Sequence, residues 1–214
     1  MSKKLLEYAG VAASVILIAF GIGATIAGSS GRSTVRDNLS KEQIVGTPDM
    51  TPSAIAAEAK AAGLKNVDLP TCSVAGKAVD NGTRARCFAS YMRVHALEAT
   101  GGKVYAEMAR YIGKDGQPTD DAKAAAVDPK TNKPVENGAR NIWVNETALS
   151  TALNTSFFAE SVALFSVIMG IALLLTGIGL LVLTLGPLRA LVGERRPRKS
   201  AEKKATTHVP ATES

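Results

Sequence analysis

Few side chains in this 214-residue sequence are of the kinds that do chemistry. His95 and His208 are its two histidines, and Cys72 and Cys87 its two cysteines. A mononuclear non-haem iron centre takes two histidines and a carboxylate with positions left open. His95 lies in the polar middle of the chain and His208 in its tail, beyond a long apolar run, so a bilayer between them would keep them from one metal. Cys72, Cys87 and His95 lack the spacing of a zinc finger or ribbon. Asp120 and Asp121 sit in a polar stretch without the acidic alternation of a calcium loop, and read as a solvated pair. No phosphate-binding glycine loop, nucleophile elbow or paired zinc histidines occur. No catalytic residue, cofactor-binding residue, metal ligand or cofactor is therefore expected. His95 recurs with Phe88, Met92 and Ala99 at steps of three and four, the mark of a packed helix face, and Glu98 is its expected neighbour.

The elements that would position these residues are set by two uncharged runs, residues 8–31 and 161–188, each long enough to cross a hydrocarbon core of about 30 Å as a helix. No third such run exists, which excludes a polytopic transporter. Neither run carries an ionisable centre, which argues against a channel. The overall net charge of +6 is concentrated beside the runs. Lys3 and Lys4 precede the first, while Arg189, Arg195, Arg196, Arg198, Lys199, Lys203 and Lys204 follow the second. The positive-inside bias puts both termini in the cytoplasm and residues 32–160 outside. Thr25 and Ala27 offer small residues for signal cleavage, but the run exceeds the usual signal core, so an uncleaved anchor is expected. Small residues recur every seven positions, Ser14, Gly21 and Gly28 in the first run and Ala163, Gly170, Gly177 and Thr184 in the second. That interval keeps one face in contact and lets backbones approach, either between the two spans or with another chain.

Residues 32–160 have the length of one domain, rich in small helix formers. Ser40 and Gln43 suggest a capping box and a short helix, broken at Gly46, Pro48 and Pro52. Thr51 and Pro52 then cap a second helix to about Ala62, stopped by Gly63. Outside the membrane, Cys72 and Cys87 are expected to be oxidised to a disulfide. Asp80, Asn81 and Gly82 form a tight turn, open to a short hairpin, before a helix from Thr83 to Thr100. A further helical stretch, KVYAEMARYI, follows Gly101 and Gly102. Residues 113–141 read as an exposed loop with a turn at Asp128, Pro129, Lys130, Thr131 and Asn132. From Asn141 a helix is expected to run unbroken into the second span, with Trp143 as a packing anchor and Phe157 and Phe158 at the headgroup layer. The fold class is thus mainly α: two antiparallel transmembrane helices flanking a small disulfide-stapled, mostly helical extracytoplasmic domain.

The tail, residues 189–214, is too polar to fold alone. Arg195, Arg196, Arg198 and Lys199 are expected to contact anionic lipid, and no nucleic acid partner is expected because no aromatic or glycine pattern accompanies them. Asn81, Asn145 and Asn154 match the glycosylation acceptor pattern. The segments QIVGTPDMTPSAI, SYMRVHALEATGGKVYAEMARYI and NIWVNETALSTALNTSFFAESVALF, with the GIALLLTGIGLLVL span, resemble an uncharacterised family of actinobacterial two-span membrane proteins. Members are often labelled as aromatic ring-opening dioxygenases of the small-subunit type. The resemblance implies a bacterial plasma membrane, where those Asn sites are not glycosylated, and carries over no activity. Taken together, the residues suggest a non-enzymatic scaffold, accessory subunit or envelope sensor with a membrane partner or self-association. The alternative is a subunit of a ring-opening dioxygenase or another membrane-anchored enzyme.

Overall fold

The computed structural model describes residues 3–186. It is mainly helical. Helix α1 (Lys3–Lys41), α2 (Pro52–Ala61) and α3 (Gly82–Ala99) are followed by a 3-10 turn (Tyr105–Glu107), strands β1 (Tyr111–Ile112) and β2 (Pro118–Thr119), and helix α4 (Gly138–Leu185). Helices α1 and α4 are each long and apolar enough to cross a membrane. Two compact units are distinguished, Met1–Phe20 with Ala172–Ser214, and Gly21–Ile171.

Helix α1 does not stop near the end of its uncharged run. It continues through Ser40, so the expected separate short helix is absent and the chain turns only at Gln43, which takes φ 53°. The polar extension is held by tertiary contacts: Leu39 is buried in the core and Val35 packs beside it. Helix α2 follows the local signals, because the Thr51 hydroxyl accepts the Ala54 N–H and Pro52 occupies the first turn, where no N–H is needed.

Asn81 closes no hairpin; its side chain caps α3 by accepting the Arg84 N–H. The segment before it is tied down by isolated bridges, Val45 to Ala78 and Gly46 to Ala75. The packed face of α3 also differs from the expected one. Ala85, Phe88, Tyr91 and Val94 are buried, whereas His95 is half-buried and Ala99 exposed. Ala85, Phe88, Tyr91 and Val94 join Leu39, Met50, Ile55, Val74, Val79 and Leu153 in the main core of the second unit.

The KVYAEMARYI stretch is not an α-helix. Gly101 and Gly102 both take positive φ, and the Glu107 carboxylate accepts the Val104 N–H of a single 3-10 turn. The chain then becomes extended, β1 pairing antiparallel with β2 (Tyr111 opposite Thr119). Bridges from Tyr111 to Glu136, Gly113 to Ala125 and Val127 to Pro134 give the supposed loop an ordered β framework. Asp128 turns it as expected, its Oδ1 accepting the Lys130 and Thr131 N–H groups. Helix α4 starts at Gly138, with the Asn137 side chain accepting the Ala139 N–H, and passes Gly170 and Gly177 without a break. Trp143 forms a smaller core with Ala96 and Met108.

Candidate functional site

All seven small residues at heptad spacing are buried. In the second unit, a Cβ placed on Gly28 would lie 2.6 Å from the Ala163 carbonyl oxygen, and one on Gly170 would lie 2.7 Å from the Thr25 N and 2.8 Å from the Gly21 carbonyl oxygen. In the first unit, a Cβ on Gly177 would approach the Ser14 oxygen and the Ile18 N at 3.0 Å, and one on Gly10 the Thr184 hydroxyl at 2.8 Å. Backbone therefore touches backbone along each stretch, and the contact runs between α1 and α4 of one chain. The buried hydroxyls donate to their own helices, Ser14 to the Gly10 carbonyl and Thr184 to that of Leu180. Polar atoms are thereby satisfied inside an apolar contact.

The second unit carries a polar junction that the sequence reading missed. Glu160 on α4 is 9% exposed. Its Oε1 accepts from the Nε of Arg36 at 2.7 Å and of Arg32 at 3.0 Å, both on α1. Its Oε2 accepts the Gly82 N–H at 2.6 Å. Gly82 is the first residue of α3, whose leading amides have no partner inside the helix and carry partial positive charge. One carboxylate thus holds three helices. Gly82 permits the approach, because a Cβ there would stand 2.7 Å from the Phe157 Cα. The signal was present as a lone acid at the edge of one apolar run facing two arginines one helical turn apart at the edge of the other.

A second tie joins α3 to α4. Glu146, 3% exposed, accepts the Ser150 hydroxyl at 2.6 Å and pairs with Arg93 at 3.1 Å. The Arg93 guanidinium lies 4.5 Å from the centre of the Trp143 ring, within cation–π range. Arg86 covers Phe157 in the same way at 4.8 Å, while Phe158 is exposed. Cys72 and Cys87 form a disulfide with Cα atoms 6.1 Å apart, fastening the loop before α3 to its second turn. Tyr91 donates its hydroxyl to the Cys72 carbonyl, and burial raises the phenol above its ordinary pKa.

His95 is the remaining centre of interest. Its Nε2 lies 3.2 Å from Asp49 Oδ2, and its Nδ1 lies 3.7 Å from Glu58 Oε2 and 4.0 Å from Glu98 Oε2. Asp49, Glu58 and His95 could hold a metal ion, since one ligand atom from each lies within 4.8 Å of the others. The Thr47 hydroxyl, with Asp49's own backbone N–H and the His95 ring, holds the Asp49 carboxyl below its ordinary pKa against the opposing effect of burial. Glu98 was legible as a neighbour at i+3. Asp49 and Glu58 were not, because they come from the turn before α2 and from α2 itself. Arg195, Arg196, Arg198 and Lys199 lie outside the described residues. The chain matches no known protein family, no curated protein and no solved structure.

Proposed function

We propose that this chain is a two-span membrane protein with both termini in the cytoplasm and residues 32–160 outside the plasma membrane, where they act without catalysis as a scaffold, accessory subunit or envelope sensor. The observation that carries this reading is the Glu160 junction. A single buried carboxylate fixes the start of α3 to both long apolar helices, as a domain displayed from a helix pair requires. The flanking charges support the orientation, with Lys3 and Lys4 before the first apolar run and the Arg189 to Lys204 cluster after the second, both then on the cytoplasmic face. The resemblance to the actinobacterial two-span family supports a bacterial plasma membrane, and an anionic leaflet is the natural counterpart of Arg195, Arg196, Arg198 and Lys199.

With the small-residue faces of α1 and α4 occupied by each other, a membrane-protein partner or a second copy would dock on the remaining surface. The test is crosslinking in intact membranes, followed by purification in mild detergent. A stoichiometric partner or a dimer is the expected product, and recovery of the monomer alone counts against the proposal. Alkaline phosphatase fused after Asp115 should be active and the same reporter on the tail silent; the reverse pattern would overturn the topology. One iron per chain together with turnover of a dihydroxylated aromatic would replace this reading with the ring-opening enzyme.

A further inference from the structure

We infer that Asp49, Glu58 and His95 form a binding site for one divalent cation of the zinc class, with Glu98 at its edge. The three ligands come from separate segments, the turn before α2, α2 and α3, and their donor atoms lie within 4.8 Å of one another. Two donors on a shared zinc at about 2.1 Å each stand about 3.4 Å apart in a tetrahedral site. The 3.2 Å separation of His95 Nε2 from Asp49 Oδ2 is close to that value, whereas Glu58 faces the other ring nitrogen, Nδ1, at 3.7 Å, and one cation takes only one of the two. A bound cation therefore requires the half-buried Glu58 carboxylate, 34% exposed, to swing round to the nitrogen that Asp49 faces.

The charge balance gives an independent reason. Elsewhere in the fold buried carboxylates are matched by arginines, Glu160 by two and Glu146 by one. Asp49, Glu58 and Glu98 have no lysine or arginine partner among the described residues; the one basic side chain beside them is His95. An imidazole supplies at most a single positive charge against three negative ones. A divalent cation supplies the missing charge and uses the ring nitrogen as a donor atom. The imidazole selects the metal class, because all-oxygen sites suit calcium and magnesium whereas imidazole with carboxylate suits zinc. Three protein ligands with partial exposure leave a fourth position for water. The bound cation would pin α2 and its leading turn to α3.

The inference is independent of the proposed topology. Its test is titration of Zn2+ into the chelator-stripped full-length chain, purified in mild detergent with an affinity tag free of histidine. Equilibrium dialysis with metal analysis reads the stoichiometry and calorimetry the affinity. One zinc per chain is expected, with affinity falling about 100-fold in His95→Ala and at least about 10-fold in Glu58→Gln, and unchanged in His208→Ala. Zinc should also raise the melting temperature of the wild type and of His208→Ala, but not that of His95→Ala. If His95→Ala does not fold, Glu58→Gln and His95→Gln are read by the same criteria. Absence of wild-type binding up to about 1 mM, far weaker than protein zinc sites, overturns the inference, as does binding that survives loss of His95 or depends on His208.

Discussion

Replacing Glu160 with alanine removes one side chain and releases contacts on three helices. The Gly82 N–H, which bonds it at 2.6 Å, would be left buried without a partner, at a cost of about 1–3 kcal/mol. The two arginine pairs contribute less, about 0.5–1 kcal/mol each, because the Arg32 and Arg36 side chains are 42% and 45% exposed and solvent screens them. The sum is about 3 kcal/mol, which for a chain of this size lowers the melting temperature by about 6–12 °C. Trp143, the only tryptophan, packs against Ala96 and Met108 within the same unit and reports the transition by its fluorescence in detergent. Glu160→Gln separates the two contributions. Its amide oxygen can still accept the Gly82 N–H while its NH2 faces donors only, so a loss of about 1–2 kcal/mol is expected. Added salt should narrow the gap between wild type and Glu160→Gln more than that between Glu160→Gln and Glu160→Ala. An alanine variant melting within about 1 °C of wild type, well inside the shift expected from 1 kcal/mol, would refute the idea that this carboxylate holds the three helices together.

Three further perturbations follow from the geometry. Gly170→Leu should cost at least about 1–3 kcal/mol, because besides the Thr25 hydroxyl it meets the Thr25 N and the Gly21 carbonyl oxygen of α1, backbone atoms that cannot turn aside, whereas Gly179→Leu, with nothing within 4 Å of its Cβ, should melt like wild type. Reduction of Cys72–Cys87, which closes a 15-residue separation, should lower stability by about 3 kcal/mol, and the Cys72→Ala/Cys87→Ala double variant should match the reduced protein and ignore reductant. Asp49 has a lowered pKa in the fold, so its contribution is present above the ordinary aspartate range near 3.8 and is lost as pH falls through the lower folded value. Melting scans between about pH 5 and pH 2 should therefore show a smaller acid loss in Asp49→Asn than in wild type.

The parts of the fold that were legible are those in which neighbouring residues carry the information. Thr51 with Pro52 announces α2, and the seven-residue recurrence of glycine, serine, alanine and threonine marks the buried line on α1 and α4 because helical period alone puts those positions on one face. The two cysteines left one pairing. The illegible parts depend on partners remote in sequence. Residues 32–41 have no apolar period of their own, and helix α1 persists there because Leu39 reaches the core and Arg32 and Arg36 reach Glu160. The short β framework between Tyr111 and Glu136 was hidden because its bridges involve one or two residues each. His95 was readable as a helix-face residue, but the acids around it were brought there by the packing of α2 on α3.

The Glu160 junction also has a consequence for biogenesis. A ribosome delivers Arg32, Arg36 and Gly82 well before Glu160, so the leading amide of α3 has no acceptor from this source until α4 has emerged. A truncated chain ending before that point would leave Arg32 and Arg36 without this partner and the Gly82 N–H without its acceptor. Completion of the domain then doubles as a check that the chain has been made through residue 160, and nascent chains cut short of it should be conspicuous substrates for proteases.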